Sequence, residues 1–436
     1  MKKVIASILC LLAGAFLSAE EITLMNFAQP QEKEIIDKVI ARFEQTHPGT
    51  TVKTITVTQD QYDAKFQAAM SANMLPDVFY VGPGAVRKYV DYGKLLKLTD
   101  YIKTAKGVDF NDLYEKAVDA YRYDGTTIGK GDIYALPKDF GPFAFAYNKT
   151  LFQKYGIPLP DKDTPYTWDE FTKVCQQLTK DTNGDGREDT FGTGLNIHWS
   201  FIQFVWGNGA DFLDSSHAKV TITDPKFEEA LQYFANMSLK LHMTPSNEQA
   251  QSMDTYQRWL KGELGFFPAG PWDLAAFKSL PFEFDLIPWP VHQKGMKTAT
   301  YRGGVGYGVS AASKHPKEAA ELALYLSADK EANTMMCDLD LQIPNLKSLA
   351  SRYTAKGRPA NREEYLQIID DYGRPWPSDF TYDSVWYDEF WIGIQDVLDG
   401  KVTAKEYCEK MEPKMQKLLD RSNAKMAASL KKQGKK

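Results

Sequence analysis

Asp181-Thr182-Asn183-Gly184-Asp185-Gly186-Arg187-Glu188-Asp189 is the densest run of metal-type ligands in the chain. Asp181, Asn183, Asp185 and Asp189 bring side-chain oxygens to positions 1, 3, 5 and 9 of the run. Gly186 supplies a turn glycine at position 6, and Arg187 offers its carbonyl at position 7. That is the spacing of a calcium loop. Position 12 is Gly192, where a helix-loop-helix site needs a bidentate Glu. The run therefore reads in one of two ways: a structural calcium site completed by a remote carboxylate, or an Asx-rich turn joining a helix to a strand.

Catalytic patterns are missing from the rest of the chain. The six His residues contain no HExxH and no i, i+4 pair, and no GxSxG occurs. Gly125–Lys130 ends in Gly-Lys without the phosphate-loop spacing, and Gly304–Gly308 is GxGxG, one residue short of a dinucleotide fingerprint. A different kind of chemistry is offered by Gly262–Phe277. Its sequence predicts a buried strand, Leu264–Phe267, a Pro/Gly turn carrying Trp272, and a helix start. Strand ends that feed helix N-termini are where α/β sheets bind ligands, so the indole either meets a ligand or closes the turn. Asp273 beside it either accepts from a ligand or caps the helix.

The elements that must hold these residues follow from periodicity. Ile22–Phe27 reads as a strand, Glu32–Gln45 as a helix with Ile35, Ile36, Val39, Ile40 and Phe43 on one face, and Val52–Val57 as a second strand. A helix marked by Tyr62, Phe66 and Met70 and an apolar strand at Asp77–Val81 follow. This β-α-β-α-β alternation implies an α/β fold built on a mostly parallel sheet. The pattern restarts near residue 135, with a strand at Phe143–Tyr147. A helix at Trp168–Leu178 opens on a Thr167/Glu170 capping box. Further on come a Gly-rich strand at Gly303–Ser310, a helix at Pro316–Leu326 opened by Ser313, and a helical C-terminal part most apolar at Val385–Leu398.

At 436 residues two domains are the expectation, and 43% hydrophobic with 25% charged residues is an ordinary globular balance. The net charge of −5 argues against nucleic acid as a partner. The lysines of the last twelve residues read as a frayed tail. Lys2 and Lys3, the apolar Val4–Leu17 and Ser18-Ala19 read as a secretory signal over residues 1–19. Cys10 lies inside the apolar region, which argues against lipid attachment there. Cys175, Cys337 and Cys408 are far apart and odd in number, so no disulfide framework is expected.

Several stretches in this order resemble the family 1 extracellular solute-binding proteins of bacterial ABC sugar importers, the maltose-binding-protein-like group. They are Leu75-Pro76-Asp77-Val78, Tyr147-Asn148-Lys149-Thr150-Leu151-Phe152, Pro165-Tyr166-Thr167-Trp168-Asp169-Glu170, Asn208-Gly209-Ala210, Gly270-Pro271-Trp272, Gly304–Ser310 with Ser313–Pro316, and Asp399-Gly400-Lys401. The resemblance implies a two-lobe periplasmic-binding-protein fold with the ligand in the cleft between lobes. Residues 20–132 and 296–342 would form the first lobe, residues 138–292 and 346–436 the second, and the crossings would fall near 133–138, 290–297 and 343–346. It implies Trp272 as a platform for a sugar ring. Trp199 or Trp206 on the aromatic stretch before Asn208, and Trp386 near a C-terminal helix start, would join it. From the first lobe, Gln29, Gln31, Pro83, Gly84, Asp139 and Phe140 stand on strand-end loops, and Gly303-Gly304 would bring backbone close to ligand or hinge. The expected function is an exported, monomeric, non-enzymatic carbohydrate-binding component. It would deliver a mono- or oligosaccharide to ABC permease membrane subunits and need no cofactor beyond the structural calcium weighed above. The competing readings are an exported glycoside hydrolase, which needs two facing carboxylates, and a binding protein for a polyamine or a phosphorylated polyol. Extra cleft carboxylates would favour the polyamine and an Arg pair the phosphate.

Overall fold

The structure, a computed structural model, describes residues 20–433. The signal-like segment 1–19 with Cys10, and Lys435 and Lys436, lie outside the described residues. Five strands form a first sheet in the order Thr50–Thr56, Glu20–Asn26, Val78–Val81, Gly306–Val309, Ala135–Pro137. The helix Pro30–Thr46 connects the first two as a parallel crossover and buries Ile35, Ile36, Val39, Ile40 and Phe43, the stripe expected from spacing. Asp77 ties the sheet together. Its carboxylate accepts from the Thr23 amide at 2.9 Å and hydroxyl at 2.7 Å and from the Ser313 hydroxyl at 2.6 Å. Ser313 therefore braces the helix Pro316–Ala328 through Asp77, while His315 takes the cap position.

A second sheet runs Phe284–Ile287, Ala144–Asn148, Leu264–Ala269, Phe191–Thr193. Its strands are buried along their lengths except at Asp285, and Phe145 stacks on Trp289 at 4.4 Å in an aromatic core shared with Phe171, Phe204 and Phe266. The Trp168–Leu178 helix carries the expected capping box. The Glu170 amide donates to the Thr167 hydroxyl, and the Glu170 carboxylate accepts from the Thr167 amide at 2.8 Å. The strand directions depart from the mostly parallel expectation. In the first sheet two of the four pairings are antiparallel, and in the second two of three. Parallel neighbours come from local βαβ crossovers. Gly306–Val309 enters the first sheet from a long excursion through the second, and it runs against both its neighbours.

A third, small sheet of Gly373–Arg374, Thr300–Gly303 and Gly141–Pro142 lies at the passages between the two large sheets. There the Asn345 side-chain amide donates to the carbonyls of Pro137 at 2.8 Å and Lys138 at 3.1 Å, so two passages are tied to each other. The expected Val385–Leu398 helix is two helices, Val385–Trp391 and Gln395–Leu398, because Gly393 takes a left-handed turn at φ 87°. The C-terminal lysines are no frayed tail as far as Gln433. The helix Ala404–Gln433 continues through them, and Lys425 pairs with Asp383 at 2.7 Å. Cys175, Cys337 and Cys408 are free and buried. Among the described residues no helix is long and apolar enough to cross a membrane.

Candidate functional site

A cavity of about 440 Å³ opens between the two large sheets. From the first sheet side come Phe27, Gln29, Glu32, Gln59 and Tyr80; from the second, Asn196, Trp199, Tyr256, Phe267, Trp272 and Asp273. The passages between add Lys138, Asp139, Phe143, Tyr301, Gly304 and Val305.

Trp272 sits on the short helical turn after Leu264–Ala269 and packs its edge on Phe143 at 5.2 Å and 85°. The Gly-Pro before it is a spatial requirement. A Cβ at Gly270 would lie 2.1 Å from the indole, and one at Gly141 would lie 2.9 Å from Pro271. Trp199, 38% exposed, stands in the first turn of Ile197–Gly207 at 6.0 Å from Phe143. The Asn196 side chain caps that helix by accepting from the His198 amide at 2.9 Å. Trp376, behind this wall, stacks on Tyr301 at 4.5 Å. An aromatic wall of Phe143, Trp199, Trp272 and Tyr301 thus borders one cavity.

Lys138 is the cavity's buried cation, its side chain 3% exposed, with Nζ at 2.6 Å from Glu32 Oε1 and 2.7 Å from Asp139 Oδ2. Burial works to discharge it, but Asp139 and Glu32 outweigh burial and hold its pKa above the ordinary lysine value. Each carboxylate has a second, main-chain partner. The Gln29 amide donates to Glu32 at 3.2 Å and the Val305 amide to Asp139 at 3.0 Å. Gly304 permits the latter approach, since a Cβ there would lie 2.3 Å from Asp139. Asp273 accepts from the Gly270 amide at 2.9 Å through Oδ2. Burial pushes its pKa up to about 7, against that amide, and Glu32 adds to the rise.

Other expected site residues stand elsewhere. Trp206 is two helical turns beyond Trp199, roughly 10 Å deeper along the axis. It is buried in the core beneath the Arg374 guanidinium at 4.7 Å. Trp386 is fully buried, its indole N–H donating to the Thr381 hydroxyl at 2.9 Å. Phe140 is buried under Arg302. Gln31 is exposed on the first turn of its helix, outside the cavity lining. Gly303 backs the Tyr301 hydroxyl, which a Cβ would meet at 2.3 Å. Pro83 and Gly84 open the helix Pro83–Asp91 away from the cavity. A Cβ on Gly84 would lie 2.8 Å from Asp379 Oδ1, at a second contact between the two halves. Burial raises Asp379 to about 7, with the Trp376 and Gly84 amides opposing.

Sequence reasoning missed Glu32, Lys138, Phe143, Tyr256 and Tyr301. One signal was present: Glu32 is a charge placed in line with the apolar stripe of Ile35, Ile36 and Val39. The loop 181–189 is exposed and folded on its own amides. Asp181 accepts from Gly184 and Gly186, Asn183 from Asp185, Asp185 from Arg187, and Asp189 from Thr182. Among the described residues, three His, Cys, Asp or Glu ligand atoms come within 4.8 Å of one another only at Glu20, His315 and Glu318.

The family model for bacterial extracellular solute-binding proteins matches residues 28–333. The chain belongs to that family. It is a family of binding proteins, not enzymes. The maltodextrin-binding protein MdxE of Bacillus subtilis is 23% identical over 389 residues, 86% of this chain and 84% of that protein. A putative ABC transporter periplasmic-binding protein of Escherichia coli, YcjN, is 24% identical over 237 residues. That match covers 54% of this chain and about half, 52%, of that relative's length. Among solved structures, an ABC substrate-binding protein of Listeria monocytogenes in complex with cycloalternan superimposes with a TM-score of 0.81. It is 24% identical, and the match covers 92% of this chain and 99% of that one. This likeness establishes the two-lobe fold.

Proposed function

We propose that the chain binds a mono- or oligosaccharide in the cavity between its lobes and hands it to the membrane subunits of an ABC importer. The observation that carries this reading is the meeting, in one cavity, of an aromatic wall, Phe143, Trp199, Trp272 and Tyr301, with hydrogen-bonding side chains, Gln29, Asn196, Asp139 and Asp273. The C–H face of a pyranose is apolar while its hydroxyls need partners around the rim, and this lining offers both. Sugar-binding relatives support the ligand class, among them the maltodextrin-binding protein. Among the described residues no arginine borders the cavity, so the phosphorylated polyol finds no support. Carboxylates do border it, as a polyamine would need, but Glu32 and Asp139 are taken up by Lys138 and Asp254 caps a helix. That leaves one free carboxylate, Asp273, where a polyamine would need several.

The same reading makes residues 1–19 a secretory signal, places the mature chain in the periplasm or at the cell surface, and leaves it a monomer without nucleic-acid partners. Its hinges are the passages near 133–138, 290–297 and 343–346. Calcium, if held, is a structural ion of loop 181–189, and its test is a chelator-dependent fall in Tm. The function is tested by tryptophan fluorescence and thermal shift of ligand-stripped protein against mono- and oligosaccharides. Saturable responses to a sugar are expected. Folded protein indifferent to all of them, or one that releases reducing ends from glycans, overturns the reading.

A further inference from the structure

The cavity's charge is lopsided. Among the described residues its lining holds four carboxylates, Glu32, Asp139, Asp254 and Asp273, against one ammonium, Lys138, with no arginine and no histidine. Not all of that negative charge faces a ligand in the same way. Glu32 and Asp139 are each consumed by Lys138 and a main-chain amide. Asp254 caps the helix Thr255–Lys261, accepting from the Gln257 amide at 2.8 Å, and is exposed at the rim. Asp273 differs. One oxygen takes the Gly270 amide, and the other has no hydrogen-bond donor among the described residues.

The groups that influence or feel Asp273 are Glu32 from the first lobe and Tyr256 and Tyr365 from the second, two neutral phenols and a carboxylate. A carboxylate without a protein cation, in a low-dielectric pocket, is costly unless the ligand supplies a donor. Hydroxyls would do so weakly and an ammonium strongly, because a hydrogen bond between charged groups is roughly twice as strong as a neutral one. The surroundings suit an ammonium for a second reason. Trp272 adjoins Asp273 in the chain, and Phe143, Tyr256 and Tyr301 border the same space. Aromatic faces beside a carboxylate form the usual surroundings of a bound amine.

We propose that, within the carbohydrate reading on which this inference rests, the cleft selects sugars carrying a free primary amine, with the second oxygen of Asp273 as the specificity-determining acceptor. The same charge imbalance makes the site reject uronates and sugar phosphates, whose anions would enter beside uncompensated carboxylates. Burial already holds Asp273 near 7 where it lacks a cation. An entering ammonium would therefore return it to the ionised form.

The test is calorimetric titration of the full chain at pH 7, where Asp273 is already about half ionised, and at low salt, with matched sugars differing in one substituent. Glucose, N-acetylglucosamine and glucosamine form one set, galactose and galactosamine a second, and the β-1,4-linked tetramers with hydroxyl, acetamido or amino groups at C2 a third. The expected result is amino forms bound about tenfold tighter than their hydroxyl counterparts, the step from a neutral to a charged hydrogen bond. That ratio shrinks in 0.5 M salt and falls to about one in Asp273→Asn, whatever happens to absolute affinity. Equal or tighter binding of the neutral forms by the wild type overturns the inference and leaves the carbohydrate reading standing. A ratio that survives in Asp273→Asn removes Asp273 from the role. Folded protein that binds none of the probes, nor any other sugar, defeats the carbohydrate reading itself.

Discussion

Replacing Lys138 by Met keeps a long, unbranched side chain in place and removes only the ammonium. The Glu32 and Asp139 carboxylates, both buried, would then face each other without a cation. Removing one partner of a buried ion pair costs about 3–5 kcal/mol, because the uncompensated charge stays behind. At roughly 2–4 °C per kcal/mol for a unit of 150–250 residues, a fall in Tm of about 10 °C follows. The loss has a pH signature. Two buried like charges without their cation repel each other, and taking up a proton relieves that repulsion. The folded form then binds more protons than the unfolded form, and stability recovers as pH falls toward 5. Differential scanning calorimetry at pH 5 and 7.5 measures both effects. Glu32→Gln added to Lys138→Met is expected to restore part of the loss at pH 7.5. A Tm within 2 °C of wild type at pH 7.5, or a loss of the same size at both pH values, refutes the reasoning.

Trp272→Ala removes a ring face worth about 0.5–1.5 kcal/mol in stacking beyond area, and about 1 kcal/mol for roughly 50 Å² of apolar contact. Sugar affinity is expected to fall between about tenfold and a hundredfold in a titration, with the cooperative unfolding transition retained. Trp206→Phe, a change in the core, lowers Tm by a few degrees and leaves sugar affinity within about twofold, as urea melts and titrations would register. Burial holds Asp273 and Asp379 near 7. Because their folded pKa values lie above the unfolded ones, their contribution to stability declines as pH rises from about 4 to 7. Denaturant titrations across that range should show the slope, and Asp379→Asn should flatten it.

Much of the scaffold was legible because periodicity reports which face of an element is buried. The stripe of the Pro30–Thr46 helix and the Thr167/Glu170 capping box are examples. Strand direction was not, since it depends on which passage returns the chain to a sheet, as Gly306–Val309 illustrates. At the site, the turn that carries Trp272 was readable because Gly270-Pro271 is a local signal, while the distant Gly141 and Phe143 against which it packs were not. Trp206 and Trp386 were misplaced because an indole's type says nothing of its depth: Trp206 shares a helix with the cavity residue Trp199, and Trp386 stands in an aromatic stretch, yet both are buried in the core. Phe143, Tyr301 and Lys138 escaped notice for the opposite reason. They lie on passages between lobes, where no periodic pattern marks a face, and they meet only when three separate segments converge.

The central claim is that a sugar is held on the Trp272 and Trp199 wall between the lobes. Fluorine NMR of protein labelled with 5-fluorotryptophan, its resonances assigned by single Trp→Phe variants, tests it most directly during a sugar titration. The account predicts saturable shifts of Trp272 and Trp199, with Trp206 and Trp386 nearly still. Saturable sugar binding that leaves Trp272 and Trp199 unmoved would contradict it.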